Sequence, residues 1–332
     1  MGNTLTAVLR KLARRVLTPD KAETSLEKRK FHVKNSAGRE VLETIGGSFL
    51  AGFGHAVETG APEEIPRLLQ PVPTRYRGFA FEGAAMGFAT VDALTFARGR
   101  RTEAFLRGTG EPHVYMAYIG VGWAMARLPR FRWPKPPADP LMRWFPLDGY
   151  GFHQAYFKTD QYVHRHYRVA RFPWPAHDPH GYADRAIDQG IGRALWFVGG
   201  TDPDVVAGLI EGFAPGRRSD LYSGAGLAAT YAGGADEDEL RGFWKRAGEH
   251  RPFVAQGSAF AAEARRRAGL ETPHTGIGTR VFCDMDPDRA AQVCVEARPG
   301  REEAVEEDGG AQPAFEVWRR RIADEFAAKG RC

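Results

Sequence analysis

Apolar residues return along this chain at helical spacing. Val205, Val206, Leu209 and Ile210 follow the i, i+3, i+4 pattern of one helix face, while the strict alternation of a strand is scarce. A second regularity is laid over the first. Eight apolar stretches carry Gly-x-small at their head: Gly46-Gly-Ser48, Gly83-Ala-Ala85, Gly120-Val-Gly122, Gly149-Tyr-Gly151, Gly190-Ile-Gly192, Gly224-Ala-Gly226, Gly257-Ser-Ala259 and Gly276-Ile-Gly278. Their first glycines are 37, 37, 29, 41, 34, 33 and 19 residues apart. A period in the low to middle thirties belongs to helical-hairpin arrays. The pattern predicts an all-α fold, a helical-hairpin repeat array of the α-solenoid or α/α-toroid kind.

Two segments of roughly 90 residues read as copies, Val41 to Phe131 and Ala183 to Leu270. Each has a Gly-led apolar helix, an acidic helix start, a Leu/Ile face, a Pro-Arg loop and another Gly-led helix. The chain divides accordingly: a basic amphipathic helix or arm at 1–37, a first helical half at 38–131, and a Pro/aromatic-rich insert at 132–182. A second half follows at 183–298, then an acidic linker and terminal helix at 299–332. Pro62-Glu63-Glu64, Asp202-Pro203-Asp204 and Asp286-Pro287-Asp288 mark helix starts. Proline loses no needed hydrogen bond in a first turn, and carboxylates there complement the helix dipole.

Glycine inside a helix costs about 1 kcal/mol relative to alanine, so its recurrence needs a compensating gain. Close approach of neighbouring helices supplies one, with the bulky residues that follow (Phe49, Met86, Trp123, Phe152, Leu227, Phe260) filling the space beyond. A phosphate-binding reading fails, because no motif has the third glycine of G-x-G-x-x-G or follows a clear strand. Several motifs are preceded by a polar residue: Glu82, Asp148, Gln189, Ser223, Gln256 and Thr275. Helices stacked in register would set these along one ridge. They also suit helix ends and caps.

Composition narrows the partners. The 332 residues are 43% hydrophobic and 26% charged, with a net charge of +5. Mean hydropathy is −0.41, and no apolar run of the roughly 18 residues needed for a membrane span occurs. No basic motif with interleaved aromatics has a nucleic-acid-binding module around it, so no nucleic acid is expected. Leu5, Val8, Leu9, Leu12 and Val16 share one helical face beside Arg10, Lys11, Arg14 and Arg15, which limits membrane contact to a peripheral one through residues 1–17. Cys283, Cys294 and Cys332 have neither metal spacing nor an even count, which points to a reducing, cytoplasmic compartment.

The densest chemistry lies in LDGYGFHQAYF, residues 147–157. Asp148 and His153 are the candidate acid/base residues. Five residues apart on one helix they need not touch, and Asp148 also suits a cap while His153 suits packing in a groove. Gln154, Trp123, Trp144, Phe152, Asp188, Gln189, Arg193 and Trp196 are the candidate substrate-binding residues. Trp133 and Phe145 extend the aromatic set. Asp220 is expected to pair with Arg217 or Arg218 at a surface or between repeats. The histidines His164, His166, His177 and His180 lack metal-ligand spacing, so no metal is assigned. No cofactor can be named.

The motif series LETIGGSFLAGF, HVYMAYIGVGWAMARLP, LDGYGFHQAYF, QGIGRALWFV, RRSDLYSGAGLAATYAGG, FVAQGSAFAAEARRRAG and PHTGIGTRV resembles the UnbL-type proteins of bacterial enediyne gene clusters. The resemblance covers about residues 38–298. It implies a part in enediyne antibiotic biosynthesis, on or around the linear polyene made by an iterative polyketide synthase. The implied partners are that apolar polyene or polyketide and, for a scaffold or carrier, the synthase or other cluster proteins. It brings no settled catalytic residues, so the protein is expected either to act on the intermediate or to carry it.

Overall fold

The computed structural model describes residues 2–95, 97–174, 178, 181–300, 303 and 312–330, with side chains from residue 8 onward. His177, His180, Cys332 and most of the acidic linker lie outside them. Among the described residues the fold is all-α, with sixteen α-helices and no strand. The N-terminal part holds α1 Gly2–Leu17, α2 Leu26–Arg29, α3 Ser36–Thr59, α4 Ile65–Leu69, α5 Thr74–Leu94, α6 Arg100–Arg107 and α7 Val114–Arg127. Then come α8 Phe145–Phe157, α9 Tyr182–Val198, α10 Pro203–Glu211, α11 Pro215–Ala232, α12 Glu237–Ala247, α13 Arg251–Arg267, α14 Pro273–Cys283, α15 Pro287–Ala297 and α16 Ala314–Ala328. None of these is long and apolar enough to cross a membrane.

The helix starts follow local rules. Asp202 caps α10 by accepting from the N–H groups of Asp204 and Val205, with Pro203 at the first position. Asp286 caps α15 through the Arg289 N–H in the same way. The glycines do not open helices, as the sequence pattern implied. They lie within them: Gly190 is midway along α9 and Gly224 midway along α11.

Seven long helices lie side by side in the order α3, α5, α7, α8, α9, α11, α13. The glycines are the joints. Residues i and i+2 of a helix point about 200° apart, so one glycine of a pair faces the preceding helix and the other the following one. On α8, Gly149 rests on the Ile119 carbonyl of α7 and Gly151 on the Ile187 carbonyl of α9. On α9, Gly190 rests on the Asp148 carbonyl and Gly192 on the Leu221 carbonyl of α11. The joints are reciprocal, since α8 presses Gly151 on α9 while α9 presses Gly190 on α8. A Cβ at Gly149, Gly151, Gly190 or Gly192 would stand 1.8–2.2 Å from the facing oxygen. Backbones this close exchange many dispersion contacts, and Cα–H···O contacts become possible.

Contacts advance in step along both partners of each joint. Trp144 meets Tyr182 and Tyr156 meets Phe197 between α8 and α9. Tyr222 meets His250 and Thr230 meets Ser258 between α11 and α13. Neighbouring long helices therefore run parallel, and the row twists as it goes: the start of α3 meets the end of α9 at Gly38 and Gly200, and Arg75 at the start of α5 donates to Ala232 at the end of α11. Shorter helices make the return runs, among them α10 and α12, which pack on each other.

α16 closes one side. Its Trp318 indole donates to the Cys294 carbonyl, and Arg319, 1% exposed, donates to Asp220, Glu316 and Gln256. Asp220 thus pairs with Arg319 and Arg185 deep in the body, in place of the expected Arg217 or Arg218. Arg217 reaches Asp188, and Arg218 takes the last carbonyls around α10.

The joints make a sharp prediction. Gly190→Ala should lower stability by about 1–3 kcal/mol or more, because the new methyl meets backbone that cannot yield. Gly47→Ala, with nothing within 4 Å of its Cβ, should raise it by up to about 1 kcal/mol. Urea unfolding of the two variants checks the contrast, and equal effects would refute the joint.

Candidate functional site

A residue just before the first glycine of a joint points to one side of the row, midway between the two neighbours. The residue three beyond that glycine, about 400° further round, points the same way. Glu82 and Met86 on α5, Asp148 and Phe152 on α8, and Gln189 and Arg193 on α9 occupy these places. Trp123 on α7 stands three residues past Gly120. The aromatic and polar ridge of the sequence is thus brought inward, and the expected capping role of these polar residues is set aside because they lie inside helices.

On this side a cleft of about 650 Å³, counting the space continuous with solvent, opens between α3, α5, α7, α8 and α9. Phe49, Leu50, Met86, Trp123, Phe152 and Phe197 make its apolar walls. Trp123 stacks between Phe49 at 4.6 Å and Phe152 at 5.1 Å. Pro19, Glu23, Arg127 and Phe157 line it towards the outside. Thr24, Glu82, His153 and Arg193 are its buried polar groups.

One cation serves two carboxyls here. Arg193 Nη1 donates to Asp148 Oδ1 at 2.5 Å, and Nη2 stands 3.8 Å from Glu82 Oε1. The guanidinium also lies 5.1 Å over the Phe152 ring. Burial pushes both carboxyls up, and the arginine opposes it. Glu82, the more distant, is raised to about 7. Its Oε1 has no hydrogen-bond partner among the described residues, and neither has Trp123 Nε1 or His153 Nδ1. Burial, with Arg127 next, drives the His153 imidazole down to about 3, so it stays neutral. Asp148 is committed to Arg193, and His153 packs on Trp123 and Phe157.

The cleft therefore gathers Trp123, Phe152, His153 and Arg193 from the expected site, with Asp148 behind Arg193. The other candidates lie elsewhere. Gln154 donates to the hydroxyls of Tyr150 and Tyr162. Asp188 is locked to Arg217 and Arg168, and Gln189 donates to Tyr182. The Trp196 indole donates to the Gly233 carbonyl, and Trp144 packs on Tyr182, so both belong to the sealed core. Trp133 stacks on Phe172 and Phe145 on Tyr115, away from the cleft. Glu82 is the residue that the site list lacked. Its position before Gly83 was the available signal. No group of three or more His, Cys, Asp or Glu side chains among the described residues is gathered as a metal site.

Two pH effects follow. Glu82 holds its proton more tightly folded than at its ordinary value of 4.5, so the stability tied to it is full at acid pH and lost as pH rises through about 7. Glu82→Gln should therefore gain on the wild type between about pH 5 and 8, by about 1–3 kcal/mol. His153 has the opposite sign. Its contribution is present above its ordinary 6.5 and lost as pH falls towards about 3. His153→Asn should flatten the acid limb of the stability profile. Thermal melts across pH read both, and parallel curves for variant and wild type would refute them.

A family model described as a protein of unknown function, DUF1702, matches residues 8–326. No curated protein and no solved structure matches the chain. With nearly its whole length covered by that one model, the chain belongs to the DUF1702 family.

Proposed function

We propose that the protein holds an extended, apolar, conjugated small molecule in the cleft between α3, α5, α7, α8 and α9, and that Glu82 is the acid–base group facing it. The observation that carries this reading is an aromatic-walled cleft ending in a buried carboxyl of raised pKa with an unpartnered oxygen. Flat conjugated ligands gain from aromatic walls, and a few convergent polar groups orient them. A carboxyl near neutrality can both give and take a proton. The linear polyene implied by the sequence resemblance belongs to this class of ligand, and enediyne precursor maturation is the biosynthetic setting we propose for it. In the same reading the parallel row with its return helices is a repeat array curved around the ligand.

A second reading is carriage without chemistry. Its support is that the two residues first matched to catalysis are occupied otherwise: Asp148 by Arg193, and His153 by burial as a neutral ring. Under it the same cleft protects a reactive polyene and delivers it to a cluster enzyme.

Titration with a synthetic all-trans linear polyene separates the outcomes. Tryptophan fluorescence should quench with a shift of the polyene absorption band. Trp123→Phe should weaken binding by about tenfold, whereas Trp244→Phe, away from the cleft, should leave it unchanged. Loss of polyene absorption over time in the wild type, abolished by Glu82→Gln with binding retained, indicates chemistry. Unchanged recovery of the polyene indicates carriage. No binding at concentrations of about 100 μM, a free energy of only about −5 kcal/mol, overturns both.

A further inference from the structure

We propose that the face where α3, α5 and α7 end docks on an anionic lipid bilayer, with α1 lying in the interface. Six of the nine large apolar side chains exposed among the described residues gather there: Val8, Leu9, Leu12, Val16, Leu94 and Phe131. Their placement follows from the packing. Arg14 of α1 pairs with Glu58 near the end of α3, and Thr18 lies beside Gly54, one turn earlier. α1 therefore runs antiparallel to α3, and its residues before Arg14 project past the end of α3. Ala13 and Leu17 pack on the body. The adjoining stripe keeps Val8, Leu9 and Leu12 more than half exposed and Val16 72% exposed. Leu94 ends α5. Phe131, 82% exposed, lies just past the end of α7, and Arg132 beside it donates to the Ala93 carbonyl of α5.

Charge identifies the partner. Arg10, Lys11 and Arg15 on α1 and Arg127 and Arg130 at the end of α7 are exposed here, and none makes an ion pair among the described residues. Of the carboxylates nearby, Glu58 pairs with Arg14, Glu23 with Lys28 and Arg29, and Asp92 with Arg101, while Asp20, Glu63 and Glu64 make no ion pair among the described residues. An apolar stripe edged by free cations is the signature of a helix lying in the plane of an anionic membrane surface. Each cation near such a surface adds attraction that salt screens. A protein groove would need matching carboxylates and a shaped apolar surface, whereas a bilayer needs neither. Docking does not depend on what the cleft holds. If the cleft takes an apolar ligand, as proposed above, Pro19, Arg127 and Phe157 place its mouth at the same face, so the ligand could pass from lipid without crossing water.

Flotation of the purified full chain with vesicles tests this. The protein should float with vesicles of phosphatidylcholine carrying about 30% phosphatidylglycerol at low salt, lose most of that binding at high salt, and stay unbound with phosphatidylcholine alone. Leu9→Glu with Leu12→Glu, and separately Lys11→Glu with Arg15→Glu, should each cut the partition coefficient about tenfold or more. Phe131→Ser, on a different segment, should weaken binding by a smaller factor and keeps the test open should the α1 variants unfold. Wild-type protein that stays unbound, or floats equally on neutral vesicles, overturns the proposal. So does variant protein that floats like the wild type. Light scattering that shows a wild-type dimer turned monomeric by the Leu9/Leu12 change, without vesicle binding, makes a second copy the occupant and also overturns it.

Discussion

At each glycine joint of the helix row backbone meets backbone, and the rest of the molecule depends on that distance. Gly151 and Gly190 let α8 and α9 press a Cα against each other's carbonyl oxygen, with no room for a methyl on either side. Such a contact fixes rotation as well as spacing. Once the two glycines of a helix face opposite neighbours, every other residue of that helix has its direction set to within a fraction of a turn. Repetition from α5 to α13 aligns the helices in parallel and turns the positions around each glycine into a common surface. The cost is real, since glycine weakens a helix and parallel dipoles lie side by side. Dispersion at close range, and the tight burial of the residues beyond, offset it.

That surface is filled in two ways. Towards the helix N-termini, α16 occupies it. Phe315 meets Phe145, Glu316 accepts from Tyr182, and Arg319 is enclosed by Asp220, Glu316 and Gln256. A buried cation with this many acceptors specifies one seating for the helix more than it adds stability. Towards the C-termini of α7, α8 and α9 the cleft remains, bordered by the first half of α3 and by Pro19, Glu23 and Thr24. Its charge balance differs accordingly. Arg319 Nη1 has two carboxylates at hydrogen-bond distance, whereas Arg193 Nη1 takes Asp148 and its Nη2 stands 3.8 Å from Glu82. Glu82, held by Arg193 only at that distance, lies on the part of the surface that lines the cleft.

Much of this was legible in the residues. The 3.6-residue periodicity and the Asp-Pro starts at 202–203 and 286–287 identified helices, and the recurring Gly-x-small pairs identified their close approach. Reading the glycines as helix heads was an error of place. A glycine at a joint and a glycine at a helix end look alike in sequence, and only the facing carbonyl distinguishes them. The ridge of polar residues before the glycines was legible for the same reason that the joints were, because both follow from helix geometry. Which arginine each carboxylate takes was not. Asp220 draws Arg185 from α9 and Arg319 from α16, 35 and 99 residues away, instead of its sequence neighbours Arg217 and Arg218.

The same limit explains the candidate site. Aromatic residues marked the region, but an aromatic that walls a cleft and one that seals a core carry the same sequence signal. Trp123 lines the cleft beside Glu82, whereas the Trp196 indole donates to the Gly233 carbonyl inside the core. Distance from the joint decides this. Trp196 lies six residues past Gly190, turned away from the surface that carries Arg193, whereas Trp123 lies three past Gly120 and faces it. Counting from the joint glycine selects Glu82, which composition and motif searching pass over, and it selects equally Gln189, which donates to Tyr182 away from the cleft. A buried polar group left unpaired costs free energy in every folded molecule. Glu82, Trp123 and His153 each leave one such atom at the cleft, where an occupant could recover that cost.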